Sequence, residues 1–227
     1  MIGSEVLDDP GAEPAAVRAT LQDIARINTL FGGTRAVVEA LEPFFRNGTE
    51  RGRWTLLDVG TGLGDIPRAA AVAARRHGIA LTLVGIERIP AAARAARDGG
   101  ADLSVILADG SALPLRPGSV DVVIASQVLH HLTREAAVRW IAGFDRLARR
   151  AVVLADLRRS RAAMAGIWLA SLALGFSRVT RHDAVLSLRR GYTRSEFNEL
   201  LVAAGVPAAA RYRPGARVVA AWAPADD

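Results

Sequence analysis

The 227-residue chain predicts an α/β fold built on a doubly wound, largely parallel sheet. Three features predict it. Apolar runs of strand length alternate with Ala- and Arg-rich helical stretches, the first run ends in a glycine-rich turn, and the chain closes on two apolar segments about Pro214 and Gly215. Short continuous apolar runs suit strands buried on both faces, which a parallel sheet covered by helices requires. At 51% hydrophobic the chain can bury one core, and it is too short for two full-sized domains.

The elements follow in order. Residues 1–13, "MIGSEVLDDPGAE", lack a basic start followed by an apolar run and are expected to be a mobile tail rather than a signal peptide. Two helices are predicted over 15–30 and 34–45, joined at "FGG". Strands are predicted at 54–59, 81–86, 103–107, 120–125 and 151–156. Over 134–148, Ala137, Trp140, Ile141, Phe144 and Ala148 share one helical face, with Thr133 as a candidate cap. The clearest helix start is "TRSE" at 193–196, a capping box followed by Phe197, Leu200, Leu201 and Ala204 at helical spacing, with Gly205 as the stop. A hairpin about Pro214 and Gly215 then ends the sheet in an antiparallel pair. The expected organisation is one domain over 14–227: a helical lid at 14–50, a core at 54–157, a cap at 158–192, and a last helix with hairpin at 193–223.

Composition excludes some chemistry. The chain has no cysteine, hence no disulfide or thiolate site, and its histidines at 77, 130, 131 and 182 show no metal-ligand spacing, so no metal is expected. Absence of cysteine fits a reducing cytoplasm. The formal charge of +6 arises entirely from arginine, without a single lysine among the 29 basic residues, which reads as compositional bias rather than a nucleic-acid surface.

"LLDVGTGLGDIP", residues 56–67, sets three glycines between two acids. Such a turn lets a ligand approach the backbone and offers it helix N-terminal amides. The spacing is G-x-G-x-G, with Asp65 where a dinucleotide fingerprint has its last glycine, and Asp58 would repel a pyrophosphate. A ligand carrying positive charge removes that objection, and S-adenosylmethionine has an ammonium, a sulfonium and one carboxylate. Glu87, ending the second strand in "VGIER", suits the hydroxyls of a ribose in either cofactor class. Asp109, in "LADGSALPL", stands where it can accept the adenine amino proton while Gly110 leaves room for the ring. Each acid also has a purely structural role open to it: a helix cap at Asp65, a solvated strand end at Glu87, a loop turn at Asp109.

In order and spacing, "LLDVGTGLGDIP", "VGIER", "ADGSALPLRPGSVDVVIASQVLHHL" and "VVLADL" resemble the successive motifs of class I S-adenosylmethionine-dependent methyltransferases, especially the small-molecule branch that includes quinone-biosynthesis methyltransferases. The resemblance covers residues 54–157. It implies a Rossmann-like seven-stranded sheet with helices on both faces and the last strand antiparallel. It also implies cofactor contacts at Asp58, Gly60, Thr61, Gly62, Gly64, Glu87, Arg88, Asp109, Gly110 and Ser126, with S-adenosylhomocysteine as product. "RINTLFGG" resembles the family's N-terminal lid, which makes Asn28 and Arg35 candidate substrate contacts, and "AVLSLRRGYTRSEFNELLVAAG" loosely resembles the stretch before its last helix.

In-line methyl transfer demands positioning above all, and a base as well when the acceptor is a hydroxyl. His130 and His131 follow the fourth strand at the carboxyl end of the sheet, where open α/β folds bind ligands. The resemblance puts the first of them toward the methyl group, so His130 is the preferred base, against the alternative that both histidines only shape the loop. His182 with Asp183 is a second candidate pair, against a surface turn. Residues 162–176, "AAMAGIWLASLALGF", form an uncharged run too short to span a bilayer and flanked by arginines, suited to a cap over an apolar pocket or to peripheral contact with an anionic membrane. Met164, Ile167 and Trp168 are the candidate roof of that pocket.

The expected activity is methyl transfer to a small lipophilic aromatic, polyketide or quinol-type acceptor of secondary metabolism. Oxygen or ring carbon would be the site, and the enzyme a cytoplasmic monomer or homodimer. "ASQV" stands where many nucleic-acid N-methyltransferases carry an Asn-Pro-Pro-Tyr-like motif, which argues against a specific nucleic-acid partner. An RNA or protein methyltransferase and a non-catalytic cofactor-binding protein are the alternatives.

Overall fold

The computed structural model describes residues 5–48, 51–111, 113, 115–176 and 178–225. Seven strands form one sheet: β1 (Gly52–Val59), β2 (Ile79–Glu87), β3 (Leu103–Leu107), β4 (Val120–Ser126), β5 (Ala148–Leu157), β6 (Arg211–Arg213) and β7 (Arg217–Trp222). Their spatial order is β3-β2-β1-β4-β5-β7-β6. Pairing is parallel from β3 through β5, whereas β7 runs antiparallel to both β5 and β6. This is the seven-stranded Rossmann-like sheet expected, and its strand order reverses between β1 and β4, the crevice where such sheets bind ligands.

Helices cover both faces. On one side α2 (Gly33–Asn47), α3 (Asp65–Arg75) and α4 (Pro90–Asp98) pack Leu41, Phe45, Ala70 and Ala74 over Leu56, Val122 and Val153. On the other, α5 (Arg134–Leu147) and α8 (Arg194–Ala203) press Phe144 and Phe197, both fully buried, onto Leu57, Val123 and Val152. The two caps read from the sequence are formed. Thr133 accepts from the Ala136 amide, and Thr193 and Glu196 make the reciprocal capping box of α8. Gly205 follows α8 with φ 73°, where a side chain would be strained.

Three further helices roof the carboxyl ends of the strands: α1 (Pro14–Leu30), α6 (Arg161–Ala173) and α7 (Arg178–Arg190). The last replaces the surface turn weighed for residues around His182. A second departure lies at the N-terminus. Residues 5–8, expected within a mobile tail, form a 3-10 turn whose Glu5 is buried and bonded to Ser187 and Arg190 of α7. Residues 1–4 of that expected tail, and Ala112 and Pro114 of the loop after β3, lie outside the described residues.

Candidate functional site

A cavity of about 720 Å³ opens between the strand ends and the α1, α6 and α7 roof. Its floor is the turn after β1, in which Gly60, Gly62 and Gly64 take φ of 76°, 56° and 74°, a left-handed backbone that favours glycine. Gly60 and Gly62 line the cavity with Asp58, Thr61, Glu87, Arg88, Asp109, Gly110 and Ser126. Gly64 instead sits at the N-cap of α3, its amide bonded to the Thr61 carbonyl, so it shapes the turn from outside the cavity lining.

The acids of this floor differ in their partners. Asp58 is buried, and although Thr61 Oγ1 donates to its Oδ2 at 2.8 Å, its Oδ1 has no partner. Burial, then repulsion from Asp65 and Glu87, raises its pKa to about 8 against the Thr61 hydrogen bond. Glu87 accepts from the Gly62 amide at 2.5 Å, and burial raises it to about 7. Two buried carboxyls held out of their ordinary range are poised for a cationic, hydrogen-bonding ligand. At the far end Asp109 is more open, held low by the Ser111 amide, and a side chain at Gly110 would strike the indole of Trp140. Glycine is thus required there for the indole's close approach, and the buried, half-unpartnered Asp58 beside Glu87 and the glycine turn fits an adenosyl ligand with an ammonium.

Opposite lies a histidine pair. His130 is buried, with Nδ1 at 2.6 Å from Asp156 Oδ1, and its Nε2 has no partner. Asp156 also accepts the amides of His130 and Leu157. This fixes the imidazole as the tautomer protonated at Nδ1 and leaves Nε2 as an unpartnered acceptor. Burial pushes the His130 pKa down, but the Asp156 charge and hydrogen bond outweigh it and hold His130 above its ordinary value. The ring of His131 lies 4.2 Å from that of His130 and bonds Asp8 at 2.7 Å. Burial and the charge of its neighbour lower it to about 4, so the first proton of the pair goes to His130.

Ligating atoms of Glu5, His130 and His131 all lie within 4.8 Å of one another, a grouping the sequence did not suggest because Glu5 is remote from the histidines in the chain. Arg190 already supplies positive charge there, bonding Glu5 at 3.1 Å and Asp8 at 2.9 Å.

Several candidate residues sit elsewhere. Arg35 is exposed and pairs with Glu39 at 2.6 Å along its own helix, because α2 turns that face to solvent. His182 is exposed, while Asp183 points inward and accepts the Val6 amide at 3.1 Å, so adjacent helical positions face apart and the two form no pair. On α6 only Ile167 of the three proposed roof residues lines the cavity. Met164 lies outside the lining, and Trp168 is 48% exposed on the opposite face. Asn28 is buried in the cavity wall, donating to Asp65 at 3.4 Å and accepting from Gln127 at 2.6 Å.

Fold and floor define a doubly wound α/β domain whose switch-point crevice sets two buried carboxyls beside a glycine turn. Residues 57–154 match the family model Methyltransf_11, described as "Methyltransferase domain". The fold is that of solved methyltransferases. A SAM-dependent methyltransferase from Aquifex aeolicus superposes with TM-score 0.62 at 15% identity, covering 92% of this chain and 97% of that one. Human N-acetylserotonin methyltransferase in complex with SAM gives 0.63 at 12%, covering 92% of this chain and 56% of that one. Magnesium protoporphyrin IX methyltransferase from Synechocystis PCC 6803 with bound SAH gives 0.52 at 17%, covering 87% and 83%. No curated protein sequence matches the chain. Residues 57–154 thus match a methyltransferase domain, on a fold whose solved examples hold SAM or SAH.

Proposed function

We propose that this protein is an S-adenosylmethionine-dependent methyltransferase that alkylates the hydroxyl of a small lipophilic aromatic, polyketide or quinol-type acceptor, with His130 as the base. One observation carries the reading: His130, a buried imidazole whose Nδ1 is held by Asp156 and whose Nε2 has no partner, lines the same cavity as the acid-flanked glycine turn. S-adenosylmethionine supplies a methyl group on a sulfonium. In this account Asp58, Gly60, Gly62 and Ser126 hold its amino-acid end, Glu87 its ribose, and Asp109 and Gly110 its adenine. His130 Nε2 takes the hydroxyl proton as the oxygen attacks, and Asp156 stabilises the imidazolium formed.

The rest of the wall supports an apolar acceptor. Ile24, Ile27, Phe31, Ile167 and Leu188 line the cavity, Ile167 alone of the three expected roof residues. The 3-10 turn at Val6–Asp8 and the α1 roof would exclude water, which strengthens the electrostatics below. Among the described residues no helix is long and apolar enough to cross a membrane. The outward face of α6, with Trp168, Leu169 and Leu172 exposed, supports peripheral contact with an anionic membrane, from which a lipophilic acceptor would be drawn by a cytoplasmic enzyme.

The test supplies methyl-labelled cofactor with alkylphenols, quinols and aromatic polyketides, and with bulk RNA in parallel. Mass spectrometry locates the label. A label on an aromatic oxygen supports the proposal, whereas transfer to RNA alone, or to no acceptor with cofactor bound, overturns it.

A further inference from the structure

Arg217 opens β7 opposite Leu157 of β5, and it is the largest fully buried side chain of the protein. It lines the same cavity as the histidine pair. Its hydrogen-bond partners are two neutral amides: Nη1 donates to Gln127 Oε1 at 3.2 Å and Nη2 to Asn28 Oδ1 at 3.2 Å, while Nε has no partner. No carboxylate among the described residues forms an ion pair with it. Asp156 is the acid whose field it feels, and both oxygens of Asp156 are engaged by His130 and Leu157.

A buried guanidinium without a counter-ion is costly, and a ligand that brings the anion removes the cost. The surroundings are built to hold the group still. Gln127 adopts φ 58°, a left-handed backbone that is uncommon outside glycine, and its amide bridges Asn28 and Arg217. Gly33 permits the close approach of α2, because a Cβ there would lie 2.5 Å from Asn28 Oδ1 and 2.8 Å from Arg217 Nη2. With both Nη groups tied back, the unpartnered Nε–H is the donor left for a carboxylate.

We propose that Arg217, braced by Asn28 and Gln127, receives a ligand carboxylate in this cavity, borne either by the amino-acid end of the cofactor or by the acceptor. The identity of the ligand rests on the methyl-transfer reading above. The presence of an anion site does not.

Two arms distinguish the sources. Calorimetry on the full chain compares S-adenosylhomocysteine with methylthioadenosine, which lacks the amino-acid portion, in wild type, Arg217→Gln and Arg217→Lys. A cofactor carboxylate predicts that Arg217→Gln weakens S-adenosylhomocysteine by about 10-fold or more, as expected for a charged hydrogen bond, and leaves methylthioadenosine within about twofold. The second arm compares kcat/KM for hydroxybenzoates and for the matching phenols without a carboxylate. An acceptor carboxylate predicts that wild type prefers the hydroxybenzoates by about 10-fold or more, and that Arg217→Gln loses this preference with cofactor affinity unchanged. Arg217→Lys, which keeps the charge without the fork, should retain part of whichever effect appears, and it serves alone if the glutamine variant does not fold. Equal affinities for both adenosine ligands relative to wild type, together with no acceptor preference for a carboxylate in either protein, overturn the proposal. If no acceptor is methylated, the methyl-transfer reading fails while the calorimetric arm still decides whether Arg217 binds an anion.

Discussion

Replacing Asp156 by asparagine tests the base directly. The His130–Asp156 contact is 2.6 Å, with side chains 2% and 1% exposed, so solvent screens it little. Taking about 4 Å between charge centres and an effective dielectric of about 20, the carboxylate favours the imidazolium by about 4 kcal/mol, which holds the His130 pKa above its ordinary value. In the wild type, protonated His130 cannot act as base, so kcat/KM should fall as pH drops through its raised pKa. Asp156→Asn removes the two strongest upward influences and leaves only the Glu5 charge against burial, so the acid limb should move toward lower pH. Plateau turnover should fall by about 10²-fold to 10⁴-fold, because the ring loses basicity and its fixed tautomer. His130→Ala should lose about 10²-fold or more in turnover and keep cofactor affinity. The assay is S-adenosylhomocysteine release across pH 5 to 10 in stopped-time samples. An unmoved acid limb, with turnover within about threefold of wild type, would refute the role of the pair and point to an acceptor that needs no base.

Other perturbations separate neighbouring residues. Asp58 has a pKa near 8 in the free protein, so at pH 7 an ammonium ligand must displace its proton. Binding should therefore release a proton at pH 7 and release less above pH 9, and calorimetry in buffers of different ionisation heat should find this contribution missing in Asp58→Asn. With its folded pKa above the unfolded one, Asp58 contributes most to stability in acid, and ligand-free protein should lose stability as pH rises from about 4 to about 8. Glu87→Ala should weaken S-adenosylhomocysteine by about 1–3 kcal/mol in the same instrument, part of it through the freed Gly62 amide. Ile167→Ala should selectively reduce kcat/KM for long-tailed phenols, and Trp168→Ala should not, because Ile167 alone of the two lines the cavity. Equal losses would remove α6 from acceptor recognition.

Local signals carried the fold. The runs at 103–107 and 120–125 became β3 and β4 nearly residue for residue because each is a continuous apolar segment bounded by turn residues, and the capping box at Thr193 marks the start of α8. The floor of the site was equally legible, since Asp58, Gly60, Gly62, Glu87 and Asp109 fall at strand ends or in the turns that follow them. What stayed hidden depends on distant pairing. Glu5 and Asp8 reach Arg190 and His131 across more than 120 positions of chain. Asp156 stood in a quoted motif, yet only the parallel register of β4 and β5 brings it beneath His130. Arg217 was one arginine among 29 basic residues, and nothing in its surroundings in sequence marks it as buried. Met164 and Trp168 fall outside the lining, and the sequence hid this because a run apolar all round gives no period by which to tell the Ile167 face from the others.

The most direct measurement of the central claim, that an acid-flanked glycine turn reads a positively charged adenosyl ligand, is calorimetric titration of the wild-type chain at pH 7 with S-adenosylhomocysteine and, separately, with NAD. Saturable one-to-one binding of S-adenosylhomocysteine with proton release, and no binding of NAD, is the predicted result. Binding of NAD with none of S-adenosylhomocysteine would contradict it.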